Sequence, residues 1–446
     1  MTYAAAMEQL SAMAPELYTS AGQPRRKFSL TEFRILLEAL GNPQRSFRAV
    51  LIAGTNGKGS TAATLASILT AAGVRTGLYT SPHLERPNER IRLDGAEIGD
   101  DEFGRLFFRV SDVAQELVGS GRLPQHPSFF EMLTAQAFLY FAENRVELAV
   151  LEVGMGGRLD ATNVVDPLLG IVTDISLDHM EWLGSTIRAI AQEKAGILRA
   201  GGTLITLPQH PEANQVLGEV AAELNVRGVS AAAYMPAIGA GAEKPYEVEA
   251  LGGVVVVDSP LKGAHQHRNL ALAMAAAVEL AERHGFAVTR EAMERGIRET
   301  RWPGRMERLT SGGVEWILDV AHNPAGVWAL RAGLNSALEG ERPGVLVFSC
   351  LKDKPVDEMA QILFPLFDEV IVAEIHSARA ASMERLMAAA AATGTRAVEA
   401  GSVREALELA RRRALGTERR VAVVSGSVYL VGEARALLLD EGDGTR

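Results

Sequence analysis

The chain has a single cysteine, no long apolar run and no surplus of positive charge. The lone Cys350 excludes an internal disulfide and suits a reducing compartment. It closes an apolar run at 345–348, so a buried, inert thiol is expected. No stretch approaches the roughly 20 apolar residues of a membrane span. Residues 1–17 have neither a cationic segment nor a long apolar core, so no secretory signal is expected. Lys and Arg number 45 against 55 Asp and Glu, a net charge of −10. That balance argues against a nucleic-acid or anionic-membrane surface. Anionic ligands must then be met by local cations and backbone N–H groups. Internal repeats and low-complexity linkers are lacking too; residues 388–392 are merely alanine-rich. The cytoplasm is the expected location.

What is present is alternation. Short apolar, often β-branched runs at 49–53, 76–79, 148–153, 169–175 and 203–207 alternate with helical patterns at 61–72, 129–144, 186–199 and 269–284. This predicts an α/β fold with a mostly parallel sheet covered on both faces. A strand at 254–257 follows a weakly patterned stretch, 228–253, which suits a small antiparallel appendage. A second series begins near Val314, with strands at 316–319, 345–348, 370–373 and 421–425. Its helices are expected at 325–338, 356–367, 383–391, 403–413 and 428–439. It reads as a smaller α/β domain. Thr300-Arg301-Trp302-Pro303-Gly304-Arg305 forms the junction, dividing the chain into 1–300 and 301–446. The polar tail 440–446 is expected to fray.

Gly54-Thr55-Asn56-Gly57-Lys58-Gly59-Ser60 joins the first strand to the first helix of this series. Such a turn presents backbone N–H groups and a positive helix end to an anion, and Lys58 adds a full charge. A hydroxyl at Ser60 or Thr61 is placed to meet a nucleotide's magnesium. The spacing departs from G-x-x-x-x-G-K-[ST]: the first glycine comes late, and Gly59 separates Lys58 from Ser60. The plain alternative is a tight turn with a surface lysine.

Three further clusters sit at strand ends, where ligands gather in open α/β sheets. In Tyr79-Thr80-Ser81-Pro82-His83-Leu84, Ser81 is either a metal ligand or a turn residue before Pro82. Glu152 interrupts an apolar strand, where an ionised carboxylate is costly unless paired or metal-bound. Gly154-Met155-Gly156-Gly157 follows it, but a dinucleotide reading lacks the third glycine and has an acid inside the strand. The third cluster is Asp174-Ile175-Ser176-Leu177-Asp178-His179-Met180, then Glu193-Lys194-Ala195-Gly196-Ile197. Taken alone, His179 reads as structural and Lys194 as a solvated lysine. Taken together, Glu152, His179 and a hydroxyl near the loop suit one octahedral magnesium completed by phosphate and water. His265-Gln266-His267 reads as a loop before a helix at Asn269 rather than a metal site. Asp319-Val320-Ala321-His322-Asn323-Pro324 resembles a ligand-facing loop, and Ser425-Gly426-Ser427 caps a helix or receives a carboxylate.

As a set and in this order, these motifs resemble the bifunctional dihydrofolate synthase/folylpolyglutamate synthase family of the Mur ligase superfamily. The resemblance runs from Leu36-Leu37-Glu38-Ala39-Leu40-Gly41-Asn42-Pro43 to Leu430. It implies a P-loop ATPase domain and a smaller C-terminal Rossmann-like domain, with ATP at their cleft. It implies that Asn56, Gly57, Lys58 and Gly59 grip the phosphates, and that Ser60, Ser81, Glu152 and His179 meet magnesium. Lys194 is carbamylated by the same implication and helps hold a second magnesium. Asn269, Arg305 and Asp319 become nucleotide contacts, with Asp319 on the ribose. His322 and Ser425 contact the incoming L-glutamate. Ser128, Phe129, Phe130 and Glu131, with Leu159, Asp160 and Ala161, form the pterin surface. The acceptor is dihydropteroate or a reduced folate, activated as an acyl phosphate that the glutamate amine attacks, and the enzyme is expected to be a monomer. A peptidoglycan-precursor ligase is the nearest rival, but residues 1–53 leave too little chain before the loop for its extra N-terminal domain. Two departures stand out. Val320 replaces the glycine of Asp-Gly-Ala-His-Asn, restricting that loop. Lys352-Asp353-Lys354-Pro355 stands where the family ends in Asp-Lys-Asp, and no role is assigned to it.

Overall fold

The computed structural model describes residues 2–13, 29–237, 244–340 and 342–443. Eight strands build the first sheet: β1 Arg48–Ala53, β2 Thr76–Tyr79, β3 Ile91–Leu93, β4 Ala96–Glu97, β5 Leu148–Glu152, β6 Pro167–Val172, β7 Thr203–Thr206 and β8 Arg227–Ser230. Their order is β4-β3-β2-β5-β1-β6-β7-β8. β3 pairs antiparallel with both β2 and β4, and the five pairings that run from β2 through β5, β1, β6 and β7 to β8 are parallel. β1 is central because it is apolar on both faces. Ala49, Leu51 and Ala53 enter one core, and Val50 and Ile52 enter the core on the other face.

The hairpin β9 Tyr246–Ala250 and β10 Gly253–Val257 is antiparallel and lies within the stretch expected to form an appendage. Residues 238–243 of that stretch lie outside the described residues. A six-stranded sheet follows: β11 Glu307–Ser311, β12 Val314–Asp319, β13 Val345–Phe348, β14 Glu369–Ala373, β15 Arg396–Ala400 and β16 Val421–Ser425. Its order is β11-β12-β16-β13-β14-β15, antiparallel only at β11–β12. Cys350 is buried beneath it, and burial pushes its thiol up to about 12.

Several boundaries differ from expectation. Strands at 148–153 and 169–175 end at Glu152 and Val172, where the chain turns into ligand-facing loops. His265-Gln266-His267 is no loop: the helix Ala264–His284 begins before it, after Gly263 at φ 102. The expected frayed tail is helical as far as Asp443 in the helix Val428–Asp443, and 444–446 lie outside the described residues. Among the described residues, no helix is long and apolar enough to cross a membrane.

Candidate active site

The phosphate loop leaves β1 and enters the helix Lys58–Ala71 through Gly57, whose φ of 87 favours glycine. The carbonyl of Gly54 accepts from two lysines, Lys58 Nζ at 3.1 Å and Lys194 Nζ at 2.7 Å. Thr55 and Asn56 donate their N–H groups to the Asp174 carbonyl, and Thr173 Oγ1 donates to the Asn56 carbonyl at 2.7 Å. The loop between β6 and His179 therefore holds the phosphate loop in place. Gly57 cannot take a side chain, because its Cβ would stand 2.1 Å from Asn269 Oδ1. Ser60 is buried in the first helical turn.

Lys194 is not solvated. It is 3% exposed, and burial, then Lys58, lowers its pKa to about 7. A signal for this existed in the sequence. Ile190, Ala191, Lys194 and Ala195 share one face of the helix Ile187–Ala195, and all four are buried. Gly157 serves that burial: a Cβ there would lie 2.8 Å from the Glu193 carbonyl and 3.0 Å from that of Lys194. Close packing inside the protein, not a dinucleotide, explains this glycine.

Glu152 is 4% exposed and accepts the Ser81 N–H at 3.1 Å. Burial raises its pKa, opposed by Lys58, the Ser81 N–H, Arg305 and Arg90. His179 adopts a left-handed backbone at φ 50, and burial lowers its pKa to about 4. Lys58 acts electrostatically on Glu152, His179 and Lys194, which gathers the three around the loop. Among the described residues no group of three His, Cys, Asp or Glu could hold a metal. A metal bound here must complete its shell with hydroxyls, nucleotide and water, as magnesium does. A buried carboxylate fits such an ion, and the lowered pKa of the Lys194 amine fits carbamylation, which needs a free amine.

The second sheet faces this site. Asp319, at the end of β12, accepts the Met306 N–H and the Ala321 N–H, each at 2.9 Å. Burial raises its pKa against the pull of Arg305 and His265. Val320 is buried and donates its N–H to the Gly304 carbonyl at 3.0 Å, so its side chain joins a core instead of distorting the loop. Ser425 ends β16, fully buried, with a hydroxyl that has no partner among the described residues. It is the register partner of Asp319 on the neighbouring strand β12.

At the centre of the cleft, sequence reasoning named the Asp178-His179 and His322-Asn323 clusters but gave Lys354 no role and did not show how these groups meet. Lys354 Nζ pairs with Asp178 Oδ1 at 2.8 Å, joining the two domains. Asn323 Nδ2 donates to Asp178 Oδ2 at 3.2 Å and to Asn56 Oδ1 at 3.0 Å. The imidazole Nε2 atoms of His179 and His322 lie 3.9 and 3.8 Å from Asp178 Oδ2. Burial alone would raise the Asp178 pKa, but His179, Lys354 and His322 outweigh it and hold the carboxylate ionised. His322 itself falls to about 4, through burial and then Lys354.

Beside the phosphate loop opens a pocket of about 820 Å³, part of it open to solvent. Six of the seven expected pterin-surface residues line it: Ser128, Phe130, Glu131, Leu159, Asp160 and Ala161. Phe129 does not; the Arg90 guanidinium stands 5.1 Å from its ring centroid. Asp160 is buried, accepts from Met155 N and from both Thr162 donors, and acts electrostatically on Lys194. Glu193 lines the pocket and the adjacent Lys194 donates to the Gly54 carbonyl, so the pocket and the phosphate loop are neighbours.

The sequence and the fold are similar to those of known ligases. Residues 52–277 match the Mur ligase middle domain, and residues 304–428 match the Mur ligase glutamate ligase domain. The dihydrofolate synthase/folylpolyglutamate synthase of Mycobacterium tuberculosis is 36% identical over 441 residues, covering 92% of this chain and 90% of its own. The solved Mycobacterium tuberculosis folylpolyglutamate synthase complexed with ADP has a TM-score of 0.86 at 34% identity, over 98% of both chains. The structure of E. coli FolC in complex with DHPP and ADP has a TM-score of 0.81 at 28% identity, over 99% of this chain and 98% of that one.

Proposed function

The chain belongs to the Mur ligase family, among the dihydrofolate synthases/folylpolyglutamate synthases, and from that premise we propose how its own residues join L-glutamate to a folate. It is an ATP-dependent glutamate ligase. The observation that carries the residue assignment is the convergence of Lys58 and Lys194 on the Gly54 carbonyl, in a loop whose Asn56 is joined through Asn323 to Asp178.

Asn56, Gly57, Lys58, Gly59 and Ser60 cradle the phosphates at the helix N-terminus. Asn269 and Arg305 flank the nucleotide, and Asp319 keeps carboxylate lone pairs for the ribose hydroxyls. Residues 1–300 carry the phosphate chemistry and 301–446 bring the amino acid to it. The pocket lined by Ser128, Phe130, Glu131, Leu159, Asp160 and Ala161 takes the pterin, with Phe129 supporting from outside. His322 and the unpartnered Ser425 hydroxyl receive glutamate. Glu152, His179, Ser81 and Ser60 would hold a magnesium ion and carbamylated Lys194 a second, and such ions would supply positive charge to offset that on the transferring phosphoryl group.

The acceptor carboxylate oxygen attacks the γ-phosphorus, the bond to ADP breaks, and an acyl phosphate forms. Lys58 and the loop N–H groups stabilise the charge that builds there. The neutral glutamate amine then attacks the acyl carbon, phosphate leaves, and the amide nitrogen loses a proton. Holding three substrates across one cleft supplies much of the rate. Dihydropteroate and a folate monoglutamate both end in a carboxylate, and we assign both as acceptors. The same reading makes the enzyme a cytoplasmic monomer. Product masses with each acceptor test the assignment. A gain of one glutamyl residue on both is expected; a gain on one alone restricts the enzyme to that acceptor.

A further inference from the structure

Gly59 is the residue that spoils the usual phosphate-loop spacing, and the structure gives it a neighbour. A Cβ at Gly59 would stand 2.6 Å from Trp302 Cζ2 and 3.0 Å from its Cε2 and Nε1. The indole of the interdomain junction therefore occupies the space where a side chain of the loop helix would point. Arg92 also stands beside it, its guanidinium carbon 5.7 Å from the ring centroid. The ring nitrogen is buried without a partner among the described residues, so packing and not hydrogen bonding fixes this indole.

The junction is pinned on both sides of the tryptophan. Upstream, Gly296 lies so close to the loop helix that a Cβ would be 2.4 Å from Ile68 Cα. Downstream, the Gly304 N–H donates to Glu307 Oε2 at 2.8 Å, and Arg435 Nε holds both oxygens of that carboxylate at 3.0 and 3.1 Å. The Gly304 carbonyl accepts Arg305 Nη1 at 3.0 Å. Residues 302–305 thus form a short strut. One end rests on the phosphate-loop backbone and the other presents Arg305 to the Asp319 and Glu152 carboxylates.

We propose that Trp302 is a positioning residue of the nucleotide site, spacing the phosphate loop from Arg305, and that Gly59 is glycine to admit its ring. This rests on the reading of the loop and Arg305 as nucleotide contacts. The indole sets the gap between the group that meets the phosphates and the group that meets the rest of the nucleotide. A methyl on Gly59 pushes the strut away; a smaller side chain at 302 lets it collapse.

The test is a double-mutant cycle read by calorimetric titration with AMPPCP and by steady-state kinetics. Gly59→Ala is expected to weaken AMPPCP binding by roughly 30-fold, and Trp302→Leu by roughly 5-fold. Trp302→Leu should raise KM for ATP and leave KM for glutamate unchanged, a split that general loosening would not produce. Gly59→Ala/Trp302→Leu should bind about as well as Trp302→Leu alone, because the added methyl then has room. A double variant as weak as Gly59→Ala, or weaker, overturns the proposal. If Trp302→Leu does not fold, Gly59→Ala/Trp302→Phe takes its place, with partial restoration expected and no restoration overturning it. Lys58→Ala separates the two levels. Lost AMPPCP binding there with no rescue in the cycle defeats only the strut, whereas retained binding defeats the reading of the loop.

Discussion

Lys354 and Asp178 form a nearly buried ion pair across the cleft, Nζ to Oδ1 at 2.8 Å, with side chains 7% and 10% exposed. The pair joins a helix-preceding loop of the second domain to the segment that carries His179. Removing one partner of such a pair strands the other, at a cost of roughly 3–5 kcal/mol. Lys354→Ala should therefore lower stability in urea melts by about that much and cut ligation severely. Asp178→Asn/Lys354→Ala should lose less stability than the two single variants summed, because neither charge is stranded. Additive losses would show that the pair does not couple the domains.

Lys194, with its pKa lowered to about 7, is ready for carbamylation near neutral pH. Below that value the ammonium form dominates and no free amine is left to attack carbon dioxide. The 13C signal of a carbamate, measured with labelled bicarbonate, should be weak near pH ~6 and strong near pH ~8. Without the modification, the unfolded chain binds the extra proton between the folded value of about 7 and the ordinary 10.5. Stability should then rise with pH across that window. Lys194→Ala should nearly abolish ligation, and added bicarbonate should not restore it. Near-normal turnover in that variant would remove the carbamate from the mechanism.

Glu152→Gln keeps the volume and the Ser81 contact but removes the buried charge. The magnesium concentration for half-maximal activity should rise by roughly tenfold or more. His179→Ala should shift the same titration in the same direction. An unchanged titration for either residue takes it out of the metal site.

Phe130 lines the pocket and presses on Gly154, where a Cβ would lie 2.7 Å from its Cζ. Phe130→Ala should raise KM for dihydropteroate by roughly tenfold while KM for ATP stays near its starting value. Equal changes in both constants would mean that the ring supports the fold rather than the acceptor.

The interior strands were readable because β1, β5 and β6 are buried on both faces and are correspondingly apolar. The edge strands β11 and β15 were not, since Glu307–Ser311 and Arg396–Ala400 mix exposed polar residues into short runs. The long helix Asp100–Gly119 was overlooked although Phe103, Leu106, Phe107, Val110, Ala114 and Leu117 repeat at helical spacing. The start of Ala264–His284 was hidden because Gly263 offers no side-chain cap. In the site, each motif at a strand end was visible, because glycines, acids and histidines interrupt apolar runs there. The partners of those motifs were not. Lys354 meets Asp178 from 176 residues away, and nothing local distinguishes it from a surface lysine. Gly59 looked like an irregularity until Trp302, far along the chain, filled the space beside it.

The most direct test of the central claim is ADP release under omission of single substrates. With magnesium, ATP, dihydropteroate or a reduced folate, and L-glutamate all present, ADP should accumulate in step with the glutamylated product. Leaving out glutamate or the acceptor should stop sustained release. Continued ADP release without glutamate and acceptor, or release unaccompanied by product, would contradict a ligase that uses ATP to activate a folate carboxylate.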